Sequence, residues 1–174
     1  TQNIVNMMNG NIAVDSELGR GTTFTVTVYL KIQDKKADQL QELMNLPVLV
    51  VDDDRECCES TVSILDEIGM NGEWVTSGSE AVRLITRRHA GNDDYFAVIV
   101  DWKMPGMDGI ETTRRIRQSV GRDITIIILT AYDYSEVEEE ARKAGVDMFI
   151  AKPLFRSRLT TKFKELLGGA AVKP

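Results

Sequence analysis

Apolar runs alternate with amphipathic segments along the carboxyl-terminal two thirds of the chain. The predicted strands are Val48–Val51, Asn71–Val75, Phe96–Val100, Ile124–Leu129 and Met148–Ala151. Four of them are almost wholly apolar, as expected of strands that are covered on both faces. Between the runs, apolar residues recur at helical spacing, as at Cys58, Val62 and Leu65. This alternation predicts parallel strands joined by right-handed crossovers.

Five strand–helix units between residues 48 and 168 predict an α/β fold. The expected architecture is a flavodoxin-like, doubly wound, five-stranded parallel sheet in the order 2-1-3-4-5, with helices on both faces. Asn71–Val75 is the least apolar strand, so we expect it at an edge. Ser79 is predicted to cap the second helix, and Phe155 is predicted to face inward from the last one.

The first thirty residues follow a different pattern. Two β-rich runs, Asn11–Asp15 and Thr22–Leu30, flank the glycine-bearing connection Ser16–Gly21. They predict a hairpin, which follows the end of a helix around Ile4–Met8. Because a lone hairpin is marginally stable in water, we interpret this segment as the last part of a larger domain.

A polar stretch separates the hairpin from the α/β region. It contains a short amphipathic helix marked by Leu40, Leu43 and Met44, and we interpret it as a linker. The predicted organisation is a hairpin remnant at 1–30, a linker at 31–46, an α/β domain at 47–168 and a flexible tail at 169–174.

Composition excludes several classes of function. The net charge of −6 argues against nonspecific nucleic-acid binding. No apolar run approaches the roughly 20 residues that span a bilayer, and no signal-peptide pattern is seen. We therefore expect a cytoplasmic chain without membrane contact of its own, while membrane anchoring of a larger parent stays open. Cys57 and Cys58 are expected to be ordinary helix cysteines, and His89 an exposed residue at a helix carboxyl end.

Chemically distinctive residues stand at four of the five strand ends. Asp52 and Asp53 follow the first strand, and Asp101 ends the third. Thr130 and Lys152 follow the fourth and fifth strands. Because ligands bind outside the carboxyl ends of parallel strands, at the switch point between strands one and three, these groups are predicted to share one crevice.

Three carboxylates in one crevice repel each other unless a proton or a cation relieves them. A hard divalent ion such as Mg²⁺ suits oxygen ligands and phosphate chemistry. Lys152 then offers a charge for a phosphoryl oxygen, Thr130 a hydroxyl donor and Asp101 a nucleophile, which together predict phosphoryl transfer. Taken singly, these residues could be a helix cap, a strand end and a surface lysine, but their joint placement favours the chemical interpretation.

Four motifs carry a family resemblance. They are Val50–Asp53, Val100–Gly109, Leu129–Ala131 and Ala151–Pro153. With them, residues 46–168 resemble the receiver domain of two-component response regulators. The resemblance implies a phosphorelay role, in which a phosphohistidine-bearing kinase or phosphotransfer domain is the partner.

The resemblance also implies roles for individual residues. The implied magnesium ligands are Asp52, Asp53, Asp101 and, through its backbone carbonyl, Lys103. Asp101 is the implied phosphoryl acceptor, and Thr130 and Lys152 the implied contacts of the acyl phosphate. In the implied switch, Thr130 moves toward the phosphoryl group, the loop Ala131–Asp133 follows, and Phe149 rotates. The Lys152–Pro153 bond is expected to be cis.

Residues 4–24 resemble the end of a histidine-kinase ATPase domain, through its last glycine motif at Gly19–Thr22. This resemblance implies a piece of a hybrid histidine kinase. The earlier nucleotide-binding motifs and the phospho-acceptor histidine are not in the sequence, so we expect weak ATP binding and catalysis only of the chain's own phosphorylation and dephosphorylation.

Two other functions compete with this interpretation. One is a haloacid-dehalogenase-like phosphatase, whose Asp-x-Asp strand end matches Asp52–Asp54, although Glu56 replaces the expected threonine and Asp101 would lack a role. The other is a degenerate receiver that acts only as a protein-interaction module. The sequence also leaves open a weak dimer.

Overall fold

A computed structural model describes residues 5, 10–29, 41–130 and 138–170. The chain divides into two units, residues 1–37 and 38–174. Within the described residues, no helix combines the length and the apolar character needed to cross a membrane.

The first unit contains the predicted hairpin. Strands β1 (Asn11–Glu17) and β2 (Gly21–Thr27) pair antiparallel. The connection is shorter than predicted, because Ser16 and Glu17 still pair across the hairpin. Gly19 allows this tight turn with a φ of +83°, a conformation that costs glycine little. The helix predicted around Ile4–Met8 lies outside the described residues except for Val5.

The second unit is built on one five-stranded parallel sheet. Its strands are β3 (Pro47–Val51), β4 (Asn71–Val75), β5 (Ala97–Asp101), β6 (Thr125–Thr130) and β7 (Met148–Ala151). Their spatial order is β4-β3-β5-β6-β7, which confirms the predicted order and the edge position of the second strand. The register pairs Val51 with Val100, so the residues that follow β3 come level with the end of β5.

Helices cover both faces of this sheet. They are α1 (Arg55–Ile68), α2 (Gly78–Ala90), α3 (Gly109–Val120), α4 (Glu138–Ala144) and α5 (Arg156–Ala170). Alternate strand residues point to opposite faces, and they form two cores. The first core joins Val51 and Val100 to residues of α2, α3 and α4, and the second joins Val50 and Ile99 to residues of α1 and α5. The doubly wound fold is therefore confirmed.

Local predictions at two helix starts are wrong. The amino-terminal cap of α2 is Ser77, whose extended backbone lets its hydroxyl accept the N–H of Glu80 at 3.3 Å, while Ser79 lies in the first turn. Phe155 is 56% exposed, because it precedes α5 and lies off its buried stripe.

Two further residues differ from their predicted surroundings. Leu43, from the predicted linker, ends a short 3-10 helix (Gln41–Leu43) and is fully buried in the second core. His89 does lie in the last turn of α2, but it is only partly exposed because its Nδ1 lies 3.0 Å from the Asp94 carboxylate.

Candidate functional site

The ends of β3 and β5 bring three carboxylates together. Oxygen atoms of Asp52, Asp53 and Asp101 lie within 4.8 Å of one another. The adjacent register of the two strands explains this, because each chain turns away from the sheet at the same level. Asp52 is buried and Asp53 is exposed, so the cluster opens toward solvent on one side.

The third acid of the run has a different role. Asp54 caps α1, and its carboxylate accepts the N–H groups of Glu56 at 2.8 Å and Cys57 at 3.4 Å. The capping function is therefore met by Asp54, and the Asp52 carboxylate is engaged elsewhere. Its Oδ1 accepts the N–H of Asp54 at 3.0 Å, and its Oδ2 accepts a hydrogen bond from Lys152 at 2.9 Å.

Lys152 bridges two of the acids from the end of β7. Its Nζ lies 2.9 Å from Asp52 Oδ2 and 2.8 Å from Asp101 Oδ1. Burial alone would lower the pKa of this ammonium, but the hydrogen bonds to Asp101 and Asp52 outweigh burial and raise its pKa. Lys152 is therefore charged at neutral pH. The Lys152–Pro153 bond that follows is cis, as the resemblance implied.

Asp101 is the last residue of β5 and is 9% exposed. Burial raises the pKa of its carboxyl group, against the opposing effects of the Lys152 ammonium and a backbone hydrogen bond from Lys103. Lys103 lies in the turn between β5 and α3, two residues after Asp101, and its side chain is exposed. The carboxylate is thus held in a low-dielectric crevice beside the Lys152 ammonium.

Thr130 ends β6 and is 1% exposed. Its carbonyl oxygen accepts the N–H of Lys152 at 2.7 Å, which ties the ends of β6 and β7 together. Phe149 pairs with Ile128 in the same two strands and packs, partly buried, against the first core. The loop Ala131–Asp133, which the predicted switch includes, lies outside the described residues.

A groove of about 600 Å³ adjoins the acids, between α1 and the segment after β7. The residues that line it beyond the predicted set include Cys57, Thr61, Ile64, Pro153 and Leu154. The sequence analysis missed this groove. The signal was available in the spacing of residues 57, 61 and 64 on α1, which places them on one helix face.

Both cysteines are free, as predicted. Cys57 lines the groove, and burial followed by the Asp52 charge raises the pKa of its thiol. Cys58 is fully buried beneath the acids, and burial raises the pKa of its thiol to about 11.

Comparison with known proteins places residues 48–164 in the family described as response regulator receiver domain. The autoinducer 2 sensor kinase/phosphatase LuxQ of Vibrio parahaemolyticus is 28% identical over 172 residues, which cover 93% of this chain and 20% of LuxQ. The chain thus spans about a fifth of the length of this relative.

Solved structures of receiver domains are also similar to this chain. The receiver domain of the histidine kinase CKI1 from Arabidopsis thaliana, complexed with Mg²⁺, has a TM-score of 0.63 and 31% identity, covering 72% of this chain and 94% of that one. The receiver domain of sensor histidine kinase PA1611 from Pseudomonas aeruginosa, with a magnesium ion in its active-site cleft, has a TM-score of 0.63 and 30% identity, covering 71% and 98%.

Proposed function

The chain belongs to the response regulator receiver domain family, and on that premise we propose that Asp101 accepts a phosphoryl group from a phosphohistidine in a two-component phosphorelay. The observation that carries the proposal is the bridge of the Lys152 ammonium to Asp101 and Asp52, beside a third carboxylate. The crevice thus contains a nucleophile in Asp101, a cation in Lys152 and a cluster of three carboxylates suited to a metal ion.

The donor set fits Mg²⁺. Three carboxylate oxygens lie within 4.8 Å of one another, and carboxylate oxygens are the hard ligands that Mg²⁺ prefers. Asp52, Asp53 and Asp101 would hold the ion, with the backbone carbonyl of Lys103. When bound, it neutralises negative charge between the carboxylates and the phosphoryl oxygens.

The transfer step follows from the placement of the side chains. A carboxylate oxygen of Asp101 attacks the phosphorus, a new O–P bond forms, and the P–N bond to histidine breaks with its electron pair leaving on the imidazole nitrogen. Lys152 moves one hydrogen bond from Asp101 to a phosphoryl oxygen, and the Thr130 hydroxyl donates a second. Positioning and charge neutralisation supply most of the catalysis in this chemistry.

The same groups support a switch. Phosphorylation adds charge and three acceptor oxygens at Asp101, which favour a conformation in which Thr130 donates to them. Because Thr130 and Phe149 belong to paired strands, a change at the first alters the space open to the second. We infer a shift between two populations at the face formed by α4, β7 and α5.

The partner that this chemistry requires is a phosphohistidine-bearing kinase or phosphotransfer domain. We further propose that residues 1–30 end a histidine-kinase ATPase domain in a hybrid kinase. In support, the similarity to LuxQ covers 93% of this chain and therefore extends beyond residues 48–164.

The test is mass spectrometry after incubation with acetyl phosphate and Mg²⁺. We expect the chain to gain one phosphoryl group and Asp101→Asn to gain none, with no modification when Mg²⁺ is chelated. An unmodified wild-type chain would favour a module that only binds proteins. A phosphoryl group that persists in Asp101→Asn would mean that another residue is the acceptor.

The phosphatase alternative requires Asp52 as the nucleophile. In this structure, Asp52 is 4% exposed and both of its carboxylate oxygens accept hydrogen bonds. Turnover of p-nitrophenyl phosphate that depends on Asp52 and not on Asp101 would revive this alternative.

A further inference from the structure

Cys58 is a buried polar group that the proposed transfer does not use. Its side chain is fully buried in the first turn of α1. Its Sγ lies 3.3 Å from the carbonyl oxygen of Asp52 and 3.8 Å from that of Val75. The thiol therefore lies under the carboxyl ends of β3 and β4, directly behind the acids.

The contact of Cys58 with the Asp52 carbonyl involves the peptide group that joins Asp52 to Asp53. A peptide bond is planar, so the direction of the Asp52 carbonyl also fixes the direction of the Asp53 N–H and the path of the chain into Asp53. A donor that holds this carbonyl thus determines how two neighbouring carboxylates are presented. At neutral pH a thiol retains its proton and is a weak donor.

The other hydrogen bonds of residues 52–54 do not set the direction of the Asp52 carbonyl. The Asp52 N–H reaches the Val75 carbonyl at 3.4 Å, which is a long hydrogen bond. The Asp52 side chain accepts from Asp54 and Lys152, but these bonds fix the carboxylate and not the backbone between Asp52 and Asp53. The backbone N–H of Cys58 donates to the Asp54 carbonyl at 3.0 Å. Cys58 therefore contacts both ends of the run 52–54.

We propose that Cys58 is a positioning residue for the magnesium-binding carboxylates, which acts by donating its S–H to the Asp52 carbonyl oxygen. The inference rests on the proposed function, because it concerns the metal affinity of the same site. Groups that orient metal ligands from behind change metal affinity without touching the ion.

Serine and alanine separate this role from packing. Both substitutions remove the sulfur, but only Cys58→Ser puts a hydroxyl donor in place of the thiol. The measurement is the Mg²⁺ dissociation constant from Trp102 fluorescence, in a Trp74→Phe background so that only the reporter beside Asp101 emits. Cys57→Ala is the matched control, because Cys57 is the neighbour in sequence and lines the groove, whereas the Sγ of Cys58 contacts the Asp52 carbonyl.

We expect Cys58→Ala to raise the Mg²⁺ dissociation constant roughly threefold to tenfold, with Cys58→Ser within about twofold of the parent and Cys57→Ala unchanged. Urea unfolding of each variant shows that the folded state is populated. Equal Mg²⁺ affinity in Cys58→Ala and the parent would overturn the proposal. It would also be overturned if Cys58→Ser were as weak as Cys58→Ala, because packing alone would then explain the loss.

Failure of the proposed function can be distinguished from failure of the role assigned to Cys58. If the parent chain shows no Mg²⁺ response and no phosphorylation at Asp101, then there is no metal site to position and both proposals are wrong. If the parent is phosphorylated normally and only the predicted order of the Cys58 variants is absent, the function stands and the role of Cys58 is wrong.

Discussion

Lys152 stands between two carboxylates that are also the proposed magnesium ligands. Its ammonium therefore competes with a divalent cation for Asp52 and Asp101. We expect Lys152→Met to bind Mg²⁺ several-fold more tightly, because two buried charges lose their partner and gain more from a metal ion. The same variant should accept a phosphoryl group from acetyl phosphate more slowly, since the transferred oxygens lose a charged donor.

The two effects have opposite signs, which makes the pair of measurements informative. Mg²⁺ affinity can be followed by Trp102 fluorescence and phosphorylation by mass spectrometry. Lys162→Met is the control, because Lys162 pairs with Glu165 on the surface of α5. Weaker Mg²⁺ binding in Lys152→Met would show that the lysine organises the acids instead of competing for them.

Tyr95 gives the fold a pH dependence that is separate from the site. Its ring is 2% exposed, its O–H donates to Glu73 at 2.7 Å, and the Arg88 guanidinium lies 4.2 Å from the ring centroid. Burial, followed by the hydrogen bond to Glu73, raises the pKa of Tyr95 from 10.0 to about 12. Between these values the unfolded chain releases the proton and the folded chain retains it.

The stability that Tyr95 contributes is therefore complete below pH 10 and is lost as the pH rises toward about 12. We expect the free energy of unfolding of Tyr95→Phe to fall less steeply over this window than that of the wild type, in urea titrations at several pH values. At neutral pH the variant should be less stable by about 1 kcal/mol, because Glu73 Oε2 loses the hydrogen bond from the phenol and retains the Arg88 contact at Oε1. Tyr29→Phe, which changes an exposed ring in the hairpin, is the control variant.

At the scale of elements, α2 and α3 approach each other through a glycine. A Cβ on Gly78 would lie 2.0 Å from Thr112 Oγ1, and that hydroxyl donates to the Asp108 carbonyl at 2.7 Å. Thr112 is fully buried, so it has little room to move away. Alanine is ordinarily better than glycine in a helix by about 1 kcal/mol, but here the overlap should dominate.

We therefore expect Gly78→Ala to destabilise the chain by roughly 1–3 kcal/mol, the usual cost of overpacking, as measured by urea unfolding. Adding Thr112→Ala to this variant should recover part of the lost stability, because it removes the Oγ1 atom that overlaps with the new Cβ at residue 78. A more stable Gly78→Ala would show that the helices separate without cost.

The same glycine shows where sequence patterns succeed and fail. The alternation of apolar runs is sufficient for all five strands and the two-sided core, because period and length are local properties. The strand order was predicted from the flavodoxin-like topology, and the structure confirms it. Ser77 and Ser79 both carry a hydroxyl that can cap a helix, and the sequence does not show which backbone is extended. In the structure Ser77 caps α2, and Gly78 follows it where the nearby Thr112 leaves no room for a side chain. The bridge from Lys152 to Asp101 depends on distances between strand ends, which no local pattern contains.

The groove beside α1 could not be predicted from the sequence for a related reason. Cys57 and Ile64 share a helix face, but the opposite wall comes from Pro153 and Leu154, about ninety residues later in the chain. A cavity needs both walls, so a pattern along one helix could at most suggest half of it. Phe155 was misplaced because its apolar side chain fits the helical period of α5, although it stands before the helix begins.

At the scale of the whole molecule, the second unit contains a complete core. Apart from Val5, every buried apolar residue in the described part of the chain lies between Leu43 and Phe163. Both faces of the sheet are covered by helices of the same unit. The acids, Thr130 and Lys152 also belong to it. Nothing that the proposed chemistry uses comes from the hairpin.

The hairpin has the opposite character, because its apolar side chains have little cover. Within the first unit, Val14 is 56% exposed, Phe24 68% and Val26 51%. Phe24 lies directly opposite Val14 on the paired strand, so these side chains form one apolar face. A two-stranded hairpin with such a face contributes little independent stability.

We therefore expect a chain of residues 38–174 to unfold cooperatively, with a urea midpoint close to that of the full chain when Trp102 fluorescence is the probe. Its phosphorylation by acetyl phosphate should stay within about twofold of the full chain, because the crevice and both of its supporting cores are retained. A matched truncation that begins at residue 46 removes Leu43 from the second core and should lower stability by about 2–5 kcal/mol, the cost of a lost buried leucine. If the chain of residues 38–174 were unstable or unphosphorylated, the hairpin would have to stabilise the receiver domain.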